Sequence, residues 1–219
     1  MICVKGGFFM NQINVGILLF DDVDALDFAG PYEVFNLTTY KDSDVNKLFM
    51  NKLEIQEKPF NVSTVSEDGS SIKVHNGLIV QPDFSFNNAP PFDLVVVPGG
   101  PYKAIKAVSK NQKIINWIAN QGKDKLITSV CTGSIFLAEA GLLDGKQATT
   151  NIAALDYLER NYTKVEVIRG VKYVDQGNVV TSAGISAGIN MALFVVGKLL
   201  NEEASIRTAN TIEFTPTEG

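Results

Sequence analysis

Lys125 to Ser134 reads KLITSVCTGS, and Ile135 to Leu143 continues it as IFLAEAGLL. The first part is a short apolar, β-prone run, as expected of a strand buried on both faces of a sheet. The second carries a helical pattern. Between them sit Cys131 and, two residues on, Gly133, so the chain turns sharply from strand to helix with a thiol at the corner. Two more runs have the same buried-strand character: Ile13 to Phe20 (INVGILLF) and Asp93 to Val97 (DLVVV). The first leads into the acidic loop DDVDAL and the second into Pro98-Gly99-Gly100-Pro101.

Further out, Pro31 fits the first turn of a helix running through YEVFNL, where its missing N–H costs nothing. Residues 40–60 are charged and poorly periodic and read as a surface connection with a short helix. SIKVHNGLIV is a hairpin around Asn76-Gly77, and VKYVDQGNVVTS is a second. NQKIINWIAN and IAALDYLERN are helical, and the stretch from Gly184 to Phe214 is mostly helical. Strands alternating with helices predict one α/β domain over residues 13–219: a mostly parallel central sheet covered on both faces, with the hairpins added at an edge. Residues 1–12 (MICVKGGFFMNQ) are expected to be a floppy extension, with Met10 a possible functional start; they have neither the apolar core nor the cleavage site of a signal peptide.

Composition narrows the function. Of 219 residues, 45% are hydrophobic and 20% charged, which suits a soluble globular protein with a large core. A formal charge of −5 argues against a nucleic-acid surface, which needs clustered Lys and Arg. No apolar run reaches the roughly 20 residues that span a bilayer. The two cysteines, Cys3 and Cys131, suggest no disulfide framework and fit a reducing cytoplasm. No Cys/His cluster has zinc-ligand spacing, so no metal or other cofactor is expected.

Parallel sheets place ligands beyond the carboxyl ends of their strands. Asp27, Gly99-Gly100 and Cys131 each follow one of the three buried strands and are expected to converge there. Cys131 is either a small buried hydrophobe or a nucleophile whose thiolate is favoured by the N–H groups of the following helix. Asp27 either caps a helix or faces the thiol; in a dry pocket its pKa would rise, and the pair could share one proton. Gly99 and Gly100 make a tight turn or leave a backbone N–H free for an oxyanion, with the Thr132 N–H as a second donor. The Thr132 hydroxyl could bind substrate, bind Asp27 or cap the helix. GISAG (184–188) lacks the spacing of a dinucleotide fingerprint. His75 reads as a solvated turn residue, and Trp117 as core.

These pieces resemble the DJ-1/PfpI superfamily, and within it the isonitrile hydratases and the amidase-like domains of AraC-type regulators. The resemblance is carried by VGILLFDDVDALDFAGPYEVF (15–35), DLVVVPGG (93–100), ITSVCTGSIFLAEAGLLDGKQATT (127–150) and GNVVTSAGISAGINMAL (177–193). It implies a flavodoxin-like three-layer sandwich, a homodimer and a small-molecule substrate. Cys131 is then the nucleophile of the elbow, Asp27 its acid, and Thr132 the neighbour typical of the hydratase branch. Protease-like members place a His after the cysteine, where this chain has Thr132. Class I glutamine amidotransferases need a downstream His, and the single histidine, His75, lies upstream. Related sequences often read ATTHW where this chain has Ala148 to Ile152 (ATTNI), so Asn151 stands in place of a His.

The implied reaction is hydration of an isonitrile to an N-substituted formamide. Competing expectations are a thiol-based redox sensor, glyoxalase-like chemistry on dicarbonyls, and a ligand-binding regulatory domain. AraC-type relatives carry a helix-turn-helix region after this domain. Here the sequence given ends at Gly219, so DNA binding is not expected.

Overall fold

The computed structural model describes residues 12–216. The expected extension lies outside these residues except for Gln12, whose side-chain amide donates to the carbonyls of Ile55 and Lys58.

β1 (Ile13–Leu18) leads into α1 (Ala25–Leu37), α2 (Asp42–Phe49) and β2 (Phe60–Ser66). β3 (Ile72–Lys73), β4 (Ile79–Val80) and β5 (Phe84–Ser85) precede β6 (Leu94–Val97), α3 (Tyr102–Val108), α4 (Gln112–Gln121) and β7 (Leu126–Ser129). α5 (Gly133–Glu139), β8 (Gln147–Ala148), α6 (Leu155–Asn161) and β9 (Glu166–Val167) follow, and β10 (Tyr173–Asp175), β11 (Val179–Ser182), α7 (Ala187–Leu199) and α8 (Glu202–Thr211) close the chain.

The main sheet has seven strands in the order β10-β11-β7-β6-β1-β2-β5. All its pairings are parallel except β10 with β11. The residues of β6 and β11 are all buried, as are the last four of β1, which is why these strands read as apolar runs without alternation. α1, α7 and α8 pack together, as do α3, α4 and α5, and helices flank the sheet as a sandwich. The core is one contiguous cluster that includes Phe20 and Phe136, whose rings meet edge to face 5.5 Å apart. Trp117 packs against this cluster and stacks on Phe86 at 4.6 Å.

Two expectations need correction. Only the second hairpin lies at the edge of the main sheet; β3 and β4 form a two-stranded sheet of their own. That hairpin is tied instead to the loop after β1, through Asp22 N–H to the Lys73 carbonyl, His75 N–H to the Val23 carbonyl and Lys73 N–H to Asp21 Oδ1. Pro31 is not in a first turn but inside α1. Because the helix starts at Ala25, the proline forfeits only a bond to the carbonyl four residues back, that of Asp27, close to the helix start. Residues 40–60, as expected, hold a short helix.

The topology places the site. β1 sits between β2 and β6, so the chain leaves β1 towards one side of the sheet and leaves β6 towards the other. The crevice above such a switch point is where open α/β sheets bind ligands.

Candidate active site

Cys131 follows β7 by one residue, Val130, and has φ +57°, the left-handed region that non-glycine residues seldom occupy. The conformation is held from several sides. Its N–H donates to the Ala183 carbonyl (3.1 Å), and its own carbonyl accepts from the Thr150 hydroxyl (2.8 Å). Gly133 lets the turn close: a Cβ there would lie 2.1 Å from the Val97 carbonyl oxygen. The strained residue thus sits where neighbouring strands over-determine it, as active-site outliers do.

The thiol is 3% exposed and Asp27, in the first turn of α1, is completely buried. Asp27 Oδ2 accepts the Gly99 N–H at 3.0 Å, while Oδ1 is buried without a partner. A carboxylate oxygen of Asp27, one of Asp24 and the Cys131 sulfur all lie within 4.8 Å of one another. Among the described residues this is also the grouping of Cys, His, Asp and Glu that could hold a metal ion, although Asp27 already commits one oxygen to Gly99.

Burial dominates the electrostatics. It pushes the Asp27 carboxyl up to about 7, against the Gly99 N–H and with help from the Asp24 charge. It also pushes the Cys131 thiol up to about 12, with the Asp27 charge adding to the rise. The Thr132 N–H, the Ile185 N–H and the Asn151 side chain pull the other way, towards the thiolate, and do not prevail. The expectation that a helix terminus makes Cys131 a ready thiolate is therefore corrected: α5 has only seven residues, and desolvation outweighs its N–H groups. Burial thus favours the protonated form of both groups.

The two glycines also act differently from expectation. The Gly99 N–H is engaged by Asp27, and the Gly100 N–H donates to Thr132 Oγ1 at 2.9 Å. Neither is free for an oxyanion. The Thr132 hydroxyl neither caps the helix nor binds Asp27: it donates to the Gly100 carbonyl at 2.7 Å and so clips the loop after β6 onto the elbow. Gly99 permits that approach, since a Cβ there would lie 2.5 Å from both the N and Oγ1 of Thr132.

Three residues near the sulfur are absent from the sequence-based set. Asn151 caps a short 3-10 turn with its side-chain oxygen, which accepts from Ala153 N–H, while its amide favours the thiolate. Ile185, within the discounted GISAG stretch, has φ +45° and directs its N–H at the sulfur. Asp24 belongs to the acidic loop after β1. Asn151 and Ile185 also line a cleft of about 670 Å³, together with Leu155, Arg169 and Lys172.

Residues 14–198 match the model of the DJ-1/PfpI family. The chain belongs to that family. It is 31% identical over 205 residues to an isonitrile hydratase from Pseudomonas putida, covering 93% of this chain and 79% of that protein. It is 28% identical over 195 residues to the HTH-type transcriptional regulator GbdR of Pseudomonas aeruginosa, but spans only 49% of that protein's length. In structure it is similar to a ThiJ/PfpI family protein from Pseudomonas syringae, with a TM-score of 0.79 at 22% identity, covering 95% of this chain and 78% of that one. That likeness bears on the fold.

Proposed function

We propose that the protein hydrates an isonitrile to an N-substituted formamide, with Cys131 as nucleophile and Asp27 as general acid and base. The observation carrying this reading is a buried thiol beside a buried carboxyl group whose affinity for a proton lies near neutrality. The groups that favour the thiolate, namely two backbone N–H groups and an amide, can donate but not take a proton. The thiol proton is assigned to Asp27, the fully buried carboxyl of the cluster, whose affinity for a proton is raised to about 7. An isonitrile suits such a pair, because its terminal carbon must gain both a sulfur and a proton.

In the first step the Cys131 S–C bond forms as Asp27 takes the thiol proton and delivers it to the same carbon, leaving a thioimidate and an ionised Asp27. Water then adds to that carbon, and loss of the C–S bond releases the formamide and restores the thiol. Thr132, Gly99 and Gly100 are positioning residues, holding the acid and the loop after β6 against the elbow. The first step builds no oxyanion, so the engaged amides of Gly99 and Gly100 are no handicap to it, whereas amide hydrolysis needs free donors.

The kinship with the P. putida hydratase supports the assignment. A redox-sensing role fits less well, since easily oxidised cysteines are exposed and low in pKa, and Cys131 is neither.

The reading takes residues 13–219 as one catalytic domain, acting in the cytoplasm without a cofactor. It further takes the protein as a homodimer, as kinship with the family implies. The test is formamide appearance from an aryl isonitrile, with Cys131→Ala alongside. Cysteine-dependent turnover is expected; no turnover from the folded, unmodified protein would overturn the reading.

A further inference from the structure

The mechanism so far uses one carboxylate of the cluster, and the second has no task. Asp24 stands at the N-cap position of α1, with φ −78° and ψ 130°, yet its side chain makes no capping hydrogen bond. Aspartate at this position ordinarily accepts from the N–H groups of the first turn. Here a carboxylate oxygen lies instead within 4.8 Å of both the Cys131 sulfur and an oxygen of Asp27. The backbone fixes its place, since Asp24 N–H donates to the Gly99 carbonyl at 3.0 Å.

The two acids differ in access. Asp27 is completely buried, with one oxygen held by Gly99. Asp24 is half-buried and borders the hairpin that carries His75, whose charge acts on it. Asp24 is therefore the acid of the pair that solvent can reach.

We propose that Asp24 is the general base of the second half-reaction, activating the water that hydrolyses the thioimidate on Cys131. The assignment rests on the hydratase reading and divides the chemistry between the two acids. A general base must reach its proton directly or through one water. With an Asp24 oxygen within 4.8 Å of the sulfur, a water between the carboxylate and a carbon bonded to that sulfur can touch both.

Asp24 takes one proton from water as the hydroxyl oxygen bonds to the thioimidate carbon, and passes it to the substrate nitrogen, which has released its π bond. The tetrahedral adduct then collapses: the C–S bond breaks, the carbonyl forms, and the hydroxyl proton returns to Cys131 through Asp27. One water is consumed, and both carboxylates end as they began. Burial raises the affinity of Asp24 for a proton, partly offset by His75, which makes it a stronger base than an exposed aspartate.

The experiment is intact-protein mass spectrometry on samples quenched during turnover of an aryl isonitrile, run beside steady-state formamide production, for the unmodified protein, Asp24→Asn and Asp24→Glu. Asp24→Asn should lose about 10²- to 10⁴-fold in steady-state rate. It should also accumulate an adduct of one isonitrile mass on Cys131, formed in a burst approaching one equivalent. Asp24→Glu, which keeps a carboxylate, should recover part of the rate and accumulate less adduct. An Asp24→Asn protein that turns over within about twofold of the unmodified one, or that is slow without accumulating adduct, would overturn the assignment while leaving the hydratase reading intact. Absence of both formamide and adduct with the unmodified protein would overturn the two together.

Discussion

Two groups of acids lie at the carboxyl ends of the strands, one in an open cleft and one buried, and they behave in opposite ways. Over β1 and β2 lies a cleft of about 290 Å³ whose lining includes Asp21, Glu67, Asp68 and Asn111. Glu67 there accepts from the Asn111 amide at 2.7 Å and pairs with Lys113 at 3.1 Å, so its carboxyl is held below the usual range. Asp68 is held low by the Ser70 N–H. Over β1, β6 and β7, Asp27 has one N–H donor, no cation and no exposure, and its carboxyl rises to about 7. An acid with partners and solvent is a settled charge. One that is buried with a single partner and an unpartnered oxygen can exchange its proton near neutral pH. Chemistry is assigned to the buried group on that difference.

The comparison can be attacked in order of expected effect. Cys131→Ala should reduce formamide production by about a thousandfold or more, measured at saturating isonitrile; comparable residual activity would show that the sulfur is not the nucleophile. Asp27→Asn should cost about 10²- to 10⁴-fold in rate.

Asp27→Asn also isolates a stability effect. The folded carboxyl titrates near 7 instead of 3.8, so the folded state holds a proton that the unfolded state releases as pH rises between these values. The stabilisation is complete below about 3.8 and is lost as pH rises through about 7, a change of about 4 kcal/mol. Denaturant unfolding across that range should show this decline in the unmodified protein and not in the variant. Equal pH dependence in both would remove the basis for treating Asp27 as special.

Gly133→Ala places a methyl group against the Val97 carbonyl. It should destabilise by about 1–3 kcal/mol, as overpacking does, seen as a lower denaturant midpoint. Glu67→Gln, in the contrasting cleft, should change stability by no more than about 0.5 kcal/mol and leave turnover unaltered. Loss of turnover in that variant would break the distinction between the open cleft and the buried cluster.

The site is only partly legible in the sequence. Buried parallel strands appear as unbroken apolar runs, so β1, β6 and β7 stand out, and with them the three strand ends that converge. Cys131 is marked by the strand-to-helix change and Gly133. Of the donors around the sulfur, Asn151 is marked only as standing where related sequences have a His, and Ile185 not at all. Asn151 and Ile185 reach it from the turns after β8 and β11, and a β-branched residue gives no hint of a positive φ. Asp24 is one of three aspartates in DDVDAL, and its role depends on a cap that it does not make. The placing of Pro31 failed because proline marks a first turn only when the helix starts beside it, and α1 starts six residues earlier. The thiolate expectation failed for a quantitative reason: sequence shows the helix that favours a charge but not the burial that opposes it.

The measurement that tests the account most directly is a pH titration of thiolate ultraviolet absorbance, taken as the difference between the unmodified protein and Cys131→Ala. The account predicts no thiolate signal at neutral pH, with the absorbance rising only on approach to about 12, and an earlier rise in Asp27→Asn, which lacks the opposing charge. A full thiolate signal at neutral pH in the unmodified protein would contradict it, because Cys131 would then be activated without passing its proton to Asp27.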